Sequence, residues 1–214
     1  MTERVESGLV RGTLHRPESH EPDSAVVLAH GAGSDSNSKL MTAMATAFAE
    51  SGIAALRVDL PFRHARRAGP PHPSTAARDR EGLLEAVRYL RSFGPVYLAG
   101  HSYGGRQATM LAAEGPDVTP ALLLLSYPLH PPAKPDRPRT AHFPDLRTPT
   151  LFVHGARDPF GSPDEMREAL KLIPGRTALQ IVEGAAHELK PVISKPKEFV
   201  ELFLKFYLPG RSAT

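Results

Sequence analysis

Six short apolar runs, at residues 25–29, 53–58, 96–99, 121–125, 150–153 and 178–182, are the feature that most limits how this chain can fold. Each is too short for a buried helix, and only Arg57, Thr150 and Gln180 interrupt their apolar character, the pattern of a strand covered on both faces. Between them the apolar residues recur at helical spacing: Leu40, Met41, Met44 and Phe48; Leu83, Leu84, Val87 and Leu90; and, near the end, Phe199, Leu202, Phe203 and Phe206. Strands alternating with helices imply an α/β fold, a mostly parallel central sheet with helices on both faces. No internal repeat or low-complexity tract interrupts the pattern, and 214 residues suit a single domain spanning 1–214. Residues 8–15 alternate loosely and read as an edge strand.

In such sheets ligands bind beyond the carboxyl ends of the strands. His30, Asp59, Ser102, Asp158 and His187 each follow an apolar run closely, so the alternation brings all five to one rim. The third run is the most informative. It leads into Gly100-His101-Ser102-Tyr103-Gly104, and a helix-compatible segment, 106–114, follows at once. G-x-S-x-G between a strand and a helix is a nucleophile elbow, with the serine at the apex and glycines where the turn brings backbone close. A serine hydroxyl is a weak nucleophile at neutral pH, so it needs a base within hydrogen-bond reach, itself oriented by a third group. In this architecture the chain order is serine, acid, histidine, which Ser102, Asp158 and His187 satisfy. An oxyanion formed at Ser102 would need fixed donors. The backbone N–H groups of Tyr103 and Ala32 are the candidates, with Gly31 and Gly33 letting the second loop approach the substrate.

With these motifs the chain resembles the α/β hydrolases, in the small dienelactone-hydrolase-like branch. The resemblance runs through H-G-A-G at 30–33, G-H-S-Y-G-G at 100–105, H-G-A-R-D-P at 154–159 and A-A-H at 185–187. It is similar in particular to compact bacterial proteins related to the hydrolase-like domain of a chromatin-complex subunit, in which H-G-A-G and a G-G-R after the elbow recur. Dienelactone hydrolases use a cysteine nucleophile. This chain has none, and its serine argues against that substrate. Family members often insert a helical cap after the sixth strand; here the Pro-rich residues 131–147 suffice only for a flap. The resemblance therefore implies an uncapped serine hydrolase acting on small ester or thioester substrates, without a cofactor. A non-catalytic binding or scaffold domain is the alternative, since some relatives serve in complexes.

The remaining residues have plainer readings. His30 and His101 flank the candidate backbone donors and read as supports, His154 as a core residue, and Asp59 as a loop hydrogen-bond acceptor. Asp164 belongs to a helix start, Ser162-Pro163-Asp164-Glu165, with the capping-box pattern. Arg63, Arg66, Arg67, Arg78 and Arg80 read as a solvated face of an irregular loop over 62–74 and the helix after it. If they overhang the rim, they favour anionic acyl substrates, and Arg63 is the candidate substrate-binding residue among them. None of the ten histidines has metal-ligand spacing, so no metal site is expected. Residues 33–39 and 31–36 depart from the phosphate-loop and dinucleotide patterns. A net charge of +3 with no recognised module gives no case for nucleic acid. With no cysteine, no apolar leader and no run of membrane-spanning length, a cytoplasmic protein of unspecified oligomeric state is expected.

Overall fold

The computed structural model describes residues 1–18 and 20–207; residue 19 and residues 208–214, included in the 1–214 domain expected from the sequence, lie outside the described residues. In chain order the elements are β1 (Thr2–Ser7), β2 (Val10–His15), β3 (Ala25–Ala29), α1 (Lys39–Glu50), β4 (Ala54–Val58), α2 (Pro61–Ala65), α3 (Ala76–Leu90), β5 (Val96–His101), α4 (Tyr103–Glu114), β6 (Leu122–Leu125), β7 (Thr150–Gly155), α5 (Pro163–Leu170), β8 (Thr177–Val182), α6 (Lys190–Ser194) and α7 (Pro196–Tyr207). The eight strands form one sheet in the order β1-β2-β4-β3-β5-β6-β7-β8. β1 and β2 pair antiparallel with each other and β2 with β4, and every other pairing is parallel. This is an α/β-hydrolase fold.

Strand period two sorts the core into two layers. Ala25, Val27 and Ala29 face one cluster with Leu83, Leu111 and Met166 from α3, α4 and α5. Val26 and Leu28 face the other, with Met44 and Phe48 of α1 and Val200 and Phe203 of α7. From β3 the chain moves outward to β4, then crosses back to β5 on the other side of β3. The loops after β3 and β5 thus meet at the switch point of the sheet, where a ligand crevice is expected.

Two expectations need correction. Residues 8–15 do not form the edge: β2 lies between β1 and β4, and the edge is β1, joined to it through a tight turn at Gly8 with φ of 57°. β1 reads T-E-R-V-E-S with Val5 alone buried, so it carries charge where an exposed strand needs it and has no apolar signal. The loop expected over 62–74 begins instead with α2, whose Phe62 N–H donates to the buried Asp79 carboxylate at 2.9 Å. After β6, residues 131–147 form hydrogen-bonded turns and one 3-10 turn, Phe143–Asp145, with no helical cap. The helix start at Ser162 carries its capping box.

Candidate active site

Ser102 sits between β5 and α4 with φ of 51° and ψ of −115°, a conformation that costs a non-glycine residue about 1–3 kcal/mol and needs surrounding contacts to persist. Ser102 N–H donates to Leu125 O at 2.9 Å, and Ser102 O accepts from Arg106 N at 3.0 Å, fixing the turn on both sides. A Cβ on Gly100 would lie 2.4 Å from Gly105 N, so the strand can pass this close to the helix only as glycine.

Asp158 and His187 come from the loops after β7 and β8. Their approach depends on Gly155, where a Cβ would stand 2.6 Å from Ala185 O. His187 Nε2 is 2.8 Å from Ser102 Oγ, and His187 Nδ1 is 2.8 and 3.0 Å from the two Asp158 oxygens. A carboxylate only accepts, so Nδ1 carries the proton and Nε2 is left to accept from the serine hydroxyl. Asp158 is buried, and its Oδ1 also accepts from Phe160 N at 2.9 Å. Burial pushes its carboxyl upward, but the His187 hydrogen bond and charge, with the Phe160 N–H, hold it below the usual carboxylate value.

The neighbouring histidines are fastened to backbone. His101 Nε2 donates to His187 O at 2.9 Å, and burial, the largest cause, pushes its pKa down to about 4, so it is a neutral tether of the loop that carries His187. His154 Nε2 donates to Gly161 O at 2.7 Å, closing the loop around Asp158, while its Nδ1 is buried with no partner among the described residues. His30 Nδ1 donates to Gly31 O at 2.8 Å, and its Nε2 accepts from Leu60 N at 3.1 Å. Asp59 accepts from Ser36 N at 2.8 Å. The Tyr103 hydroxyl turns away from the serine and donates to Asp79 at 2.7 Å, so its side chain covers the elbow.

Arg63 is not a substrate-facing cation. It is buried over the Phe62 ring, and its guanidinium donates to the carbonyls of Ala32 (2.8 Å), Ser34 (3.0 Å), Arg66 (3.1 Å) and Gly69 (3.2 Å). Across a trans peptide, C=O and the following N–H point in opposite directions. Holding Gly31 O through His30 and Ser34 therefore sets the direction of Ala32 N–H, and holding Ala32 O through Arg63 sets that of Gly33 N–H. Among the described residues neither Tyr103 N–H nor Ala32 N–H is hydrogen-bonded. Arg66, Arg67 and Arg78 are exposed, and Arg80 pairs with Glu114 at 3.0 Å.

Sequence reasoning missed Phe160, whose ring stacks on His187 with centroids 4.3 Å apart. An aromatic two residues beyond a candidate acid was the available signal. Among the described residues no group of three or more His, Asp or Glu side chains is placed to hold a metal ion, and no helix is long and apolar enough to cross a membrane.

A sheet of this order, with serine, histidine and aspartate hydrogen-bonded in series on its carboxyl rim, defines the α/β-hydrolase class. The family model for an alpha/beta hydrolase domain matches residues 22–204, and the chain belongs to that family. It is 27% identical over 191 residues to human (Homo sapiens) ABHD14B, described as a candidate protein-lysine deacylase, covering 89% of this chain and 86% of the relative. Among solved structures it is similar to the dienelactone hydrolase of Anabaena variabilis (TM-score 0.77, 22% identity, 97% and 98% of the two chains). Est1E of Butyrivibrio proteoclasticus (TM-score 0.76, 20% identity, 97% and 99%) and the lidless serine hydrolase XC6422 of Xanthomonas campestris (0.73, 16%, 99% and 96%) share the same fold.

Proposed function

We propose that the protein is a serine hydrolase that cleaves a carboxylic ester or thioester through an acyl-enzyme on Ser102. The observation that carries this reading is the pair of 2.8 Å contacts joining Ser102 Oγ to His187 Nε2 and His187 Nδ1 to Asp158. Ser102 Oγ attacks the acyl carbon while its proton passes to His187 Nε2, and the Tyr103 and Ala32 N–H groups receive the oxyanion. The acyl bond to the leaving oxygen or sulfur breaks as His187 returns that proton to it. Water then attacks the acyl-serine, giving its proton to His187. Collapse releases the acid and restores the Ser102 hydroxyl. Asp158 holds the imidazole tautomer and stabilises the imidazolium. The absence of a helical cap over residues 131–147 favours small or surface-presented esters, and the description of ABHD14B extends the candidates to acyl-lysine.

Labelling with a fluorophosphonate probe tests the reading. Wild type is expected to label, and Ser102→Ala and His187→Ala to lose the label; a label that persists in Ser102→Ala overturns it. Asp158→Asn is expected to slow acylation by about 10³- to 10⁴-fold in stopped-flow measurements with the melting temperature little changed. Full activity in that variant would assign the acid to another residue.

A further inference from the structure

The anion-binding role that Arg63 cannot fill has a second candidate on the other side of the elbow. Arg106 stands in the opening turns of α4, four residues beyond Ser102. Among the described residues its Nε is buried without a hydrogen-bond partner, and its guanidinium makes no ion pair. Arg139 belongs to the flap, three residues before His142, which packs on α4. The Tyr127 hydroxyl donates to Arg139 O at 2.6 Å, Arg139 N–H donates to Leu129 O at 2.7 Å, and its Nη1 donates to Pro128 O at 3.3 Å. His142 closes the group, with Nε2 2.8 Å from Thr109 Oγ1, a hydroxyl that also donates to Arg106 O.

The charges in this group act on one another. Burial and then Arg106 lower the titration of Arg139; burial, Arg106 and Arg80 push His142 down to about 4. The nearby carboxylates are engaged elsewhere: Glu114 with Arg80, and Asp79 with Tyr103 and Phe62. Asp145 acts on His142 but forms no ion pair with either arginine. Two partly buried guanidiniums that share a neighbourhood, with no carboxylate paired to either among the described residues, favour an anion from outside, and guanidinium suits the oxygens of a carboxylate or phosphate. The group is tied by backbone to the elements that carry Ser102 and Asp158. Arg106 N–H donates to Ser102 O at 3.0 Å, and His130 N–H, at the residue that leads into the flap bearing Arg139, donates to the carbonyl of Phe160, whose ring stacks on His187.

We propose that Arg106 and Arg139 form a subsite for a carboxylate or phosphate carried by the substrate, a proposal that rests on the hydrolase reading for its substrate but not for the binding itself. Two measurements test it. In Ser102→Ala, at matched ionic strength, titrating glutarate or inorganic phosphate by calorimetry is expected to show saturable binding, weakened tenfold or more by adding Arg106→Gln or Arg139→Gln. Which of the two anions binds more tightly identifies the group. In the wild-type protein, kcat/KM for p-nitrophenyl hemiglutarate is expected to exceed that for p-nitrophenyl pentanoate. Arg106→Gln lowers that ratio about tenfold, whereas Arg88→Gln, on the exposed side of α3, leaves it as it was. If Arg106→Gln fails to fold, Arg139→Gln and Arg106→Lys carry the same expectation in weaker form. Binding that fails to saturate, or a ratio insensitive to these arginines, overturns the subsite. A protein that binds glutarate through Arg106 yet neither labels nor turns over esters would keep the subsite and remove the hydrolase.

Discussion

Arginines stand on both sides of Ser102, and they differ in what their donors reach. On one side Arg63 is buried, with its guanidinium directed at four backbone carbonyls around the Gly31–Ser34 loop. On the other, Arg106 and Arg139 lie in a half-buried group in which, among the described residues, one guanidinium nitrogen has no partner and no carboxylate pairs with either. The same residue type therefore has two uses. A guanidinium saturated by carbonyls is part of the backbone's geometry, whereas one left unsaturated beside a reactive group is available to a ligand.

Changing Arg63 is the most severe way to break this comparison. Arg63→Met removes the donors that fix Ala32 O and Ser34 O, and kcat is expected to fall about 100-fold, the effect of losing an ordered oxyanion donor. KM changes less, because the side chain touches no substrate. A large rise in KM with kcat preserved would place Arg63 among the binding residues after all. Next in size is a change in titration. In Arg106→Gln the pKa of His142, about 4 in the intact protein, is expected to rise because a neighbouring positive charge is gone. NMR of the imidazole measures it, and an unmoved value would separate the two residues.

The same depressed histidines predict a pH effect on stability. His15, His101 and His142 each have a folded pKa near 4 against an ordinary 6.5. Between those values the unfolded chain binds protons that the folded chain refuses, so stability is full above about pH 6.5 and falls towards pH 4. Melting temperatures across that window check it; a flat profile contradicts the burial of these rings. The smallest effect belongs to the exposed arginines. Arg67→Gln and Arg78→Gln are expected to leave kcat/KM for anionic and neutral esters within about twofold, and a larger loss on anionic esters would return the selection to the 63–80 segment.

What could be read from sequence follows from which signals are local. Strand runs, the elbow around Ser102 and the capping box at Ser162 are each written within a dozen residues, and the fold follows from their alternation. Ser102, Asp158 and His187 were selected by order along the chain, and the structure brings the three together. The role of Arg63 was not legible: its acceptors at Ala32 and Ser34 are about 30 residues upstream, and nothing near Arg63 says that its loop turns inward. Arg106 and Arg139 escaped for the same reason, being 33 residues apart, with Arg106 tied to the flap through Thr109 and His142 and Arg139 held by Tyr127. β1 was hidden by its charge, since an edge strand protected against aggregation lacks the apolar pattern that reveals strands.

The position of β8 has a consequence for biosynthesis. Among the described residues it is the last strand in chain order, at the edge opposite β1, and the loop after it carries His187. A chain emerging from the ribosome folds its earlier parts first. The elbow, the Gly31 loop and Asp158 can all be in place while His187, tethered through its carbonyl to His101, has yet to arrive. On the proposed mechanism the nascent protein thus holds a serine without its base, and competence to react waits until the loop after β8 has been made.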